Sequence, residues 1–345
     1  MPEPQARRLA EDSAAGLAAL PPEMKQAFIE KAVTLLAHRD ASSRLAAAEQ
    51  LRELARPPAG PPLERALDDP AAAVRAAAAA ALGALHDANA AVPLIRCLRD
   101  ESPDVRAAAA GAIGQLRLGL DRSTDQADGD QSAADRRVLS SARESLEKAL
   151  GDESPSVRRA AATSLGLLRQ PLSAAPLGKA LATDADVQVR AAAAAAMGRL
   201  FGKKGIVPGW TAPGTVPFFP HSSDQADGNQ SARTPAAMEA RAAAREPLEK
   251  ALGDEAPLVR HAAVGALGAI GDRQAVPAII ARLKDPHAVV RAAAAFALGR
   301  LGDPSAAAAL RDAAQTDPDS SVRSMAGEAL RKLPPAQTGQ AAEGG

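Results

Sequence analysis

The chain has 345 residues, 41 basic and 41 acidic side chains, and a formal net charge of zero; 46% of it is hydrophobic but only 2% aromatic, with no tyrosine. Alanine supplies most of the apolar material, which suits closely approaching helices and excludes a sandwich or barrel, whose sheets want β-branched and aromatic side chains. The charge balance speaks against nucleic-acid binding. The single Cys97 rules out an intrachain disulfide and fits a reducing, cytoplasmic setting, and no run of charge-free apolar residues is long enough to span a membrane.

Residues 1–21 carry charges throughout and lack the apolar core of a secretory signal. They read as an N-terminal capping helix over about 5–20. From residue 22 one pattern recurs: L-x-x-A-L-x-D, a short turn, then V-R-x-A-A-x-x-A-L-G-x-L. Its arginine appears as Arg44, Arg75, Arg106, Arg158, Arg190, Arg260, Arg291 and Arg323. The spacing is 31 or 32 residues, except for gaps of 52 and 70 that each hold one repeat plus an insertion. Eight copies follow: three over 22–116, two over 144–200 and three over 246–333. Insertions fill 117–143 (acidic) and 201–245 (proline and aromatic), both read as flexible, and 334–345 reads as a disordered tail.

Each copy reads as two helices. The first is short, as in VPLIRCLRD (92–100), and Pro93, Pro176, Pro247 and Pro277 fall in its first turn, where a missing N–H costs little. The second begins near the valine, as in VRAAAAGAIGQL (105–116), with apolar residues at helical spacing. Gly83, Gly114, Gly166, Gly198, Gly268 and Gly299 recur near its end, which points to close packing or a prepared exit. One such pair cannot bury its apolar stripe alone, so the fold class is an all-α, right-handed α-α superhelix of stacked hairpins.

An aspartate stands six residues before the arginine in seven copies, as Asp69, Asp100, Asp152, Asp184, Asp254, Asp285 and Asp317; His38 occupies that slot in the first. The carboxylate falls at the end of the first helix and the guanidinium at the start of the second. A catalytic or anion-binding stripe would use such residues, but recurrence in nearly every copy favours an internal ladder bridging repeats and loop carbonyls.

DESPDVRAAAAGAIGQL (100–116) and DESPSVRRAAATSLGLL (152–168) carry the pattern D-x-P-x-V-R-x-A-A-x-x-A-L-G-x-L most plainly. It resembles the HEAT-like repeats of the phycocyanobilin-lyase type. The resemblance implies an armadillo-type solenoid and leaves function open among scaffolds, chromophore-lyase subunits and a few metal enzymes. The His-Glu pairs of the HEAT-like iron hydroxylases are absent, since none of the five histidines precedes a glutamate.

The two insertions are related: TDQADGDQSA (124–133) matches SDQADGNQSA (223–232), as block duplication would produce. Asp121, Asp125, Asp128, Asp130 and Asp135 cluster around Gly129, but their spacing is not that of a calcium loop. The second insertion, GIVPGWTAPGTVPFFP (205–220), is uncharged and holds Trp210, Phe218 and Phe219, with Phe201 just before it. These four are candidate partner-binding anchors; folding back over the chain's own alanine-rich surface is the alternative.

No catalytic, cofactor or metal constellation emerges. GKKG (202–205) lacks the rest of a phosphate loop, and Cys97 occupies a slot filled elsewhere by Ala66, Ala149, Ala180 and Arg282, and reads as a small packing residue. On the second helices Ala79, Ala80, Ala110, Ala194, Ala195 and Ala295 read as a bland inner surface, and Arg159, Arg199, Arg300, Lys332, Glu49 and Glu328 as a solvated edge. The reading is a non-enzymatic scaffold for an unidentified protein partner, with no nucleic acid, membrane or cofactor. A bilin-lyase-like subunit is the alternative, and nucleic-acid binding ranks third.

Overall fold

The computed structural model describes residues 21–55, 59–116, 129–202 and 235–334. Nearly all of the expected cap and tail lie outside them. Among the described residues all regular structure is helical, and no helix is long and apolar enough to cross a membrane. The chain divides into two compact units, 1–168 and 169–345.

The first unit holds four helical hairpins. They are α1 (Pro22–Leu35) with α2 (Ala41–Leu54), α3 (Gly60–Ala66) with α4 (Ala72–Ala84), α5 (Ala91–Cys97) with α6 (Pro103–Gln115), and α7 (Gly129–Ala149) with α8 (Pro155–Leu168). Second helices pack in sequence order, α2 on α4, α4 on α6 and α6 on α8. The second unit repeats the scheme with α9 (Ala174–Thr183) and α10 (Val187–Phe201), α11 (Pro235–Ala251) and α12 (Pro257–Ile270), α13 (Val276–Ala281) and α14 (Ala288–Leu301), and α15 (Ala307–Thr316) and α16 (Ser320–Lys332). There α10 packs on α12, α12 on α14 and α14 on α16. Each unit is thus a solenoid segment in which a hairpin finds its core by leaning on its sequence neighbours.

Local chemistry sets the helix ends. Asp40, Asp186 and Asp319 cap α2, α10 and α16 by accepting backbone N–H bonds from the first turn. Proline starts α6, α8 and α12, where its fixed φ suits the first turn. Asp87, Asp272 and Asp303 each nucleate a 3-10 turn that leads into the next first helix. Between the helices lie fully buried Leu51, Leu82, Ile113 and Leu165 in one unit, and Leu177, Met197, Leu267 and Leu298 in the other. Each contributes about 1.5–3 kcal/mol relative to exposure.

The insertion boundaries differ from expectation. Helix α7 begins at 129 and α11 at 235, so the later parts of 117–143 and 201–245 are helical extensions of repeat helices. Pairs where each extension joins its repeat helix support it: Ser140 donates to Glu144, Arg143 to Glu147, and Arg245 lies 3.8 Å from Glu249. Pro247 therefore lies inside α11 and not in its first turn. Phe201 also moves, from the insertion to the last turn of α10, where it is half-buried.

The recurring glycines mark close approach. A Cβ on Gly268 would sit 2.8 Å from Ala297 Cβ and 3.1 Å from its Cα; one on Gly198 would sit 2.8 Å from Ala266 Cα. In every such contact the glycine, eight residues after its arginine, meets the residue six after the next arginine. At Gly114 that neighbour is Ser164, whose hydroxyl donates to the Ala110 carbonyl at 2.7 Å. The prepared exits lie elsewhere, at Gly271 and Gly302, whose φ of 75° and 61° end α12 and α14.

These contacts predict opposite outcomes for one chemical change. Gly268→Ala lowers stability by about 1–3 kcal/mol through overpacking. Gly111→Ala, with nothing within 4 Å of the added methyl, raises it by about 0.5–1 kcal/mol. Urea unfolding of the two variants against wild type measures both.

Candidate functional site

Two surfaces contain the residues singled out above: the interhelical turns, where arginine and aspartate converge, and the open side of the second helices.

At the turns, six of the eight arginines are seen to pair with the next repeat's aspartate. In the first unit Arg44, Arg75 and Arg106 grip Asp69, Asp100 and Asp152 with both Nε and Nη2, at 2.6–2.9 Å. In the second, Arg190, Arg260 and Arg291 grip Asp254, Asp285 and Asp317 at 2.7–3.0 Å. Nη1 turns back to the carbonyls of its own turn, as Arg260 does to Asp254 and Glu255 at 2.9 and 3.0 Å. Arg158 and Arg323 make the same backward bonds. The aspartate also accepts from the N–H two residues on, as Asp184 does from Asp186. Partners otherwise 25 or 26 residues apart are 46 apart for Arg106 and Asp152 and 64 for Arg190 and Asp254, so the insertions leave this geometry unchanged.

The fork of a guanidinium matches a carboxylate in two parallel bonds, which a lysine cannot do. The Arg44 guanidinium holds the Asp69 carboxyl below its usual range. Burial pulls Asp285 upward, but bonds from Arg260 and the His287 N–H outweigh it, and the carboxyl again lies low. Side-chain exposure is 8% at Arg260 and 0% at Asp285, so these charges are spent on each other.

The open side of the second helices has a different character. Positions one, five and nine after the arginine share a helix face. In α4 they are Ala76, Ala80 and Ala84, all half-buried. The residues four after the arginine are not on this surface: Ala79, Ala110, Ala194 and Ala295 are fully buried, because that position points at the neighbouring helix. The opposite, first-helix side is charged, with Arg65, Arg96, Lys179, Lys250 and Arg311 exposed.

Arg199 and Arg300 are half-buried and not part of a solvated edge. Burial pushes both guanidinium groups down, and among the described residues the Arg199 Nε has no hydrogen-bond partner. His261, on the same face, is likewise pushed down by burial. The Lys332 ammonium lies 5.9 Å from the centre of the Phe296 ring and 2.8 Å from Glu328.

Cys97 is buried, and burial raises its thiol, which keeps it protonated and unreactive. Among the described residues no cluster of three histidine, cysteine or acidic side chains could hold a metal. Of the four candidate anchors only Phe201 is described; Trp210, Phe218 and Phe219 lie outside the described residues.

The model of HEAT repeats matches residues 29–114, 130–198 and 245–331. The chain belongs to the HEAT-repeat family. Among solved structures it is similar to YIBA_ECOLI of Escherichia coli, with a TM-score of 0.53 and 18% identity over 95% of this chain and 96% of that one. At that identity the likeness shows the fold alone. The chain is also similar to the CpcE and CpcF complex of phycocyanin lyase from a Nostoc species (TM-score 0.40, 28% identity, 49% of this chain and 98% of that chain). Human deoxyhypusine hydroxylase follows at 0.34 and 21%, over 90% and 99%. No curated protein matches the chain.

Removing one partner of a buried pair strands the other. Arg260→Ala is expected to lose about 3–5 kcal/mol, and Arg260→Lys most of that, because a point charge cannot replace the fork. Arg52→Ala, which breaks only the exposed pair with Glu53, is expected to change stability by less than about 1 kcal/mol. Chemical denaturation of the three variants checks the ranking.

Proposed function

We propose that this HEAT-repeat chain is a non-enzymatic scaffold that binds a protein partner through the open side of its second helices, the concave side of a solenoid, with the 201–220 segment as an adjoining contact. One observation carries the reading. The arginines and aspartates that could do chemistry are engaged in the turns, while on α4 and α6 the second-helix side presents mostly small side chains, Ala76, Ala80, Ala84, Ala107 and Gly111. Such a surface admits a partner's backbone closely and gives its side chains apolar contact. Trp210, Phe218 and Phe219 add the aromatic type that dominates interface energetics. The single cysteine, buried and protonated, is compatible with a cytoplasmic setting.

The test blocks the surface without touching the ladder. Ala80→Arg with Gly111→Arg places bulk on the open side of α4 and α6, and the site at Gly111 has room for it. Affinity capture from the source cell with mass spectrometry is expected to yield a protein retained by wild type and reduced roughly tenfold or more by this variant, a loss of about 1.4 kcal/mol. Trp210→Ala with Phe218→Ala and Phe219→Ala is expected to weaken the same protein's recovery. Identical recovery on all three baits would contradict the reading, and loss on the face variant alone would remove the aromatic segment from it.

A further inference from the structure

The second-helix sides of the two units differ in charge. In the unit spanning 169–345, the position nine after the ladder arginine is Arg199 in α10, Ala269 in α12, Arg300 in α14 and Lys332 in α16. These helices pack in that order, so three cations lie in one row across four neighbours, with adjacent helices roughly 8–10 Å apart. Phe296 stands one turn from Arg300 on the same face, with the Lys332 ammonium over its ring. In the other unit the same position holds Glu53, Ala84, Gln115 and Leu167, with no cation.

Among the described residues no carboxylate faces Arg199 or Arg300. Both are half-buried, and the Arg199 Nε is buried with nothing to donate to. A guanidinium withdrawn from water without an anion is unfavourable in the free protein. The ladder arginines Arg190, Arg260 and Arg291 of the same unit, by contrast, each grip a carboxylate. The floor between the cations is small, with Gly265 and Ala269 on α12.

We propose that this face binds an acidic segment of a partner protein, with Arg199, Arg300 and Lys332 taking its carboxylates and Phe296 and the small-residue floor taking its apolar side chains. The inference rests on the scaffold reading above and names the chemistry of the partner. Charge complementarity selects the occupant. Desolvated arginines favour planar carboxylates in two-bond contact, and Phe296 favours a chain that interleaves acidic and apolar residues. A nucleic acid fits less well. Glu328 pairs with Lys332 one turn away on the same face, and three cations are few for a phosphate backbone, whose binding grows with the number of charges neutralised.

The test uses the full chain and fluorescence anisotropy at about 100 mM salt. The probes are a labelled peptide of repeated Asp-Leu-Glu units, its neutral counterpart of Asn-Leu-Gln units, and a DNA duplex of similar length. The acidic peptide is expected to bind at least roughly tenfold tighter than the neutral one. Arg199→Gln with Arg300→Gln is expected to abolish that preference without lowering the unfolding temperature, because among the described residues neither arginine has a carboxylate to lose. Equal binding of both peptides, no binding of either, an unaffected double variant, or tighter binding of duplex DNA would each overturn the proposal. If the acidic peptide fails while Ala80→Arg with Gly111→Arg still loses captured protein, the chemistry assigned to this face falls and the scaffold reading stands. If both fail, both fall.

Discussion

The array depends on a two-bond contact between the guanidinium of one hairpin and the carboxylate of the next. Alanine-rich helices give little side-chain interdigitation to fix their register, and a stack held only by apolar area could slide. The Arg–Asp fork has one geometry at about 2.8 Å, and its third nitrogen ties it to the turn it springs from. Each fork therefore sets both the turn within a hairpin and the placement of its neighbour. The glycine contacts complete that placement: once the register is fixed, Gly268 can meet Ala297 at a distance no side chain would tolerate. Breaking the fork and filling the glycine disturb one interface from its two sides.

That division of labour also shapes the surface. Because the turns carry the paired charges and the glycine and alanine contacts carry the packing, the open side of the second helices has no structural duty. Its composition is free to serve binding. The difference between the units, with cations and Phe296 on this face in one and no cation at the matching position in the other, has no counterpart in the ladder, which recurs in both.

Most of the fold was legible in the sequence because it is periodic. The eight arginines and seven aspartates marked eight hairpins, although two first helices begin earlier than their repeats, at 129 and 235, and Pro247 falls inside one of them. What periodicity could not show is direction. Spacing alone did not tell whether Arg75 would turn to its own Asp69 or to Asp100; the structure gives its fork to Asp100 and leaves Asp69 only a backbone carbonyl bond. The inner surface was misread for a related reason. Ala79 and Ala80 look alike in sequence, and only the packing of neighbouring second helices makes one buried and the other open. Arg199 and Arg300 looked like solvated charges because desolvation depends on neighbouring second helices that are remote in sequence, and α11 runs through Pro247 because its helix begins upstream, at Pro235.

Amide hydrogen exchange on Asp254→Asn tests this account most directly. Asparagine keeps an acceptor for the Ala256 N–H but loses the charge that Arg190 grips from a hairpin 64 residues earlier in sequence. If the fork couples hairpins across the insertion, protection falls together in α10 and α12, by roughly two orders of magnitude for the loss of a buried pair, while α16 holds. Loss confined to α12, or no loss in α10, would show that the hairpins stand without the fork and would contradict the claim.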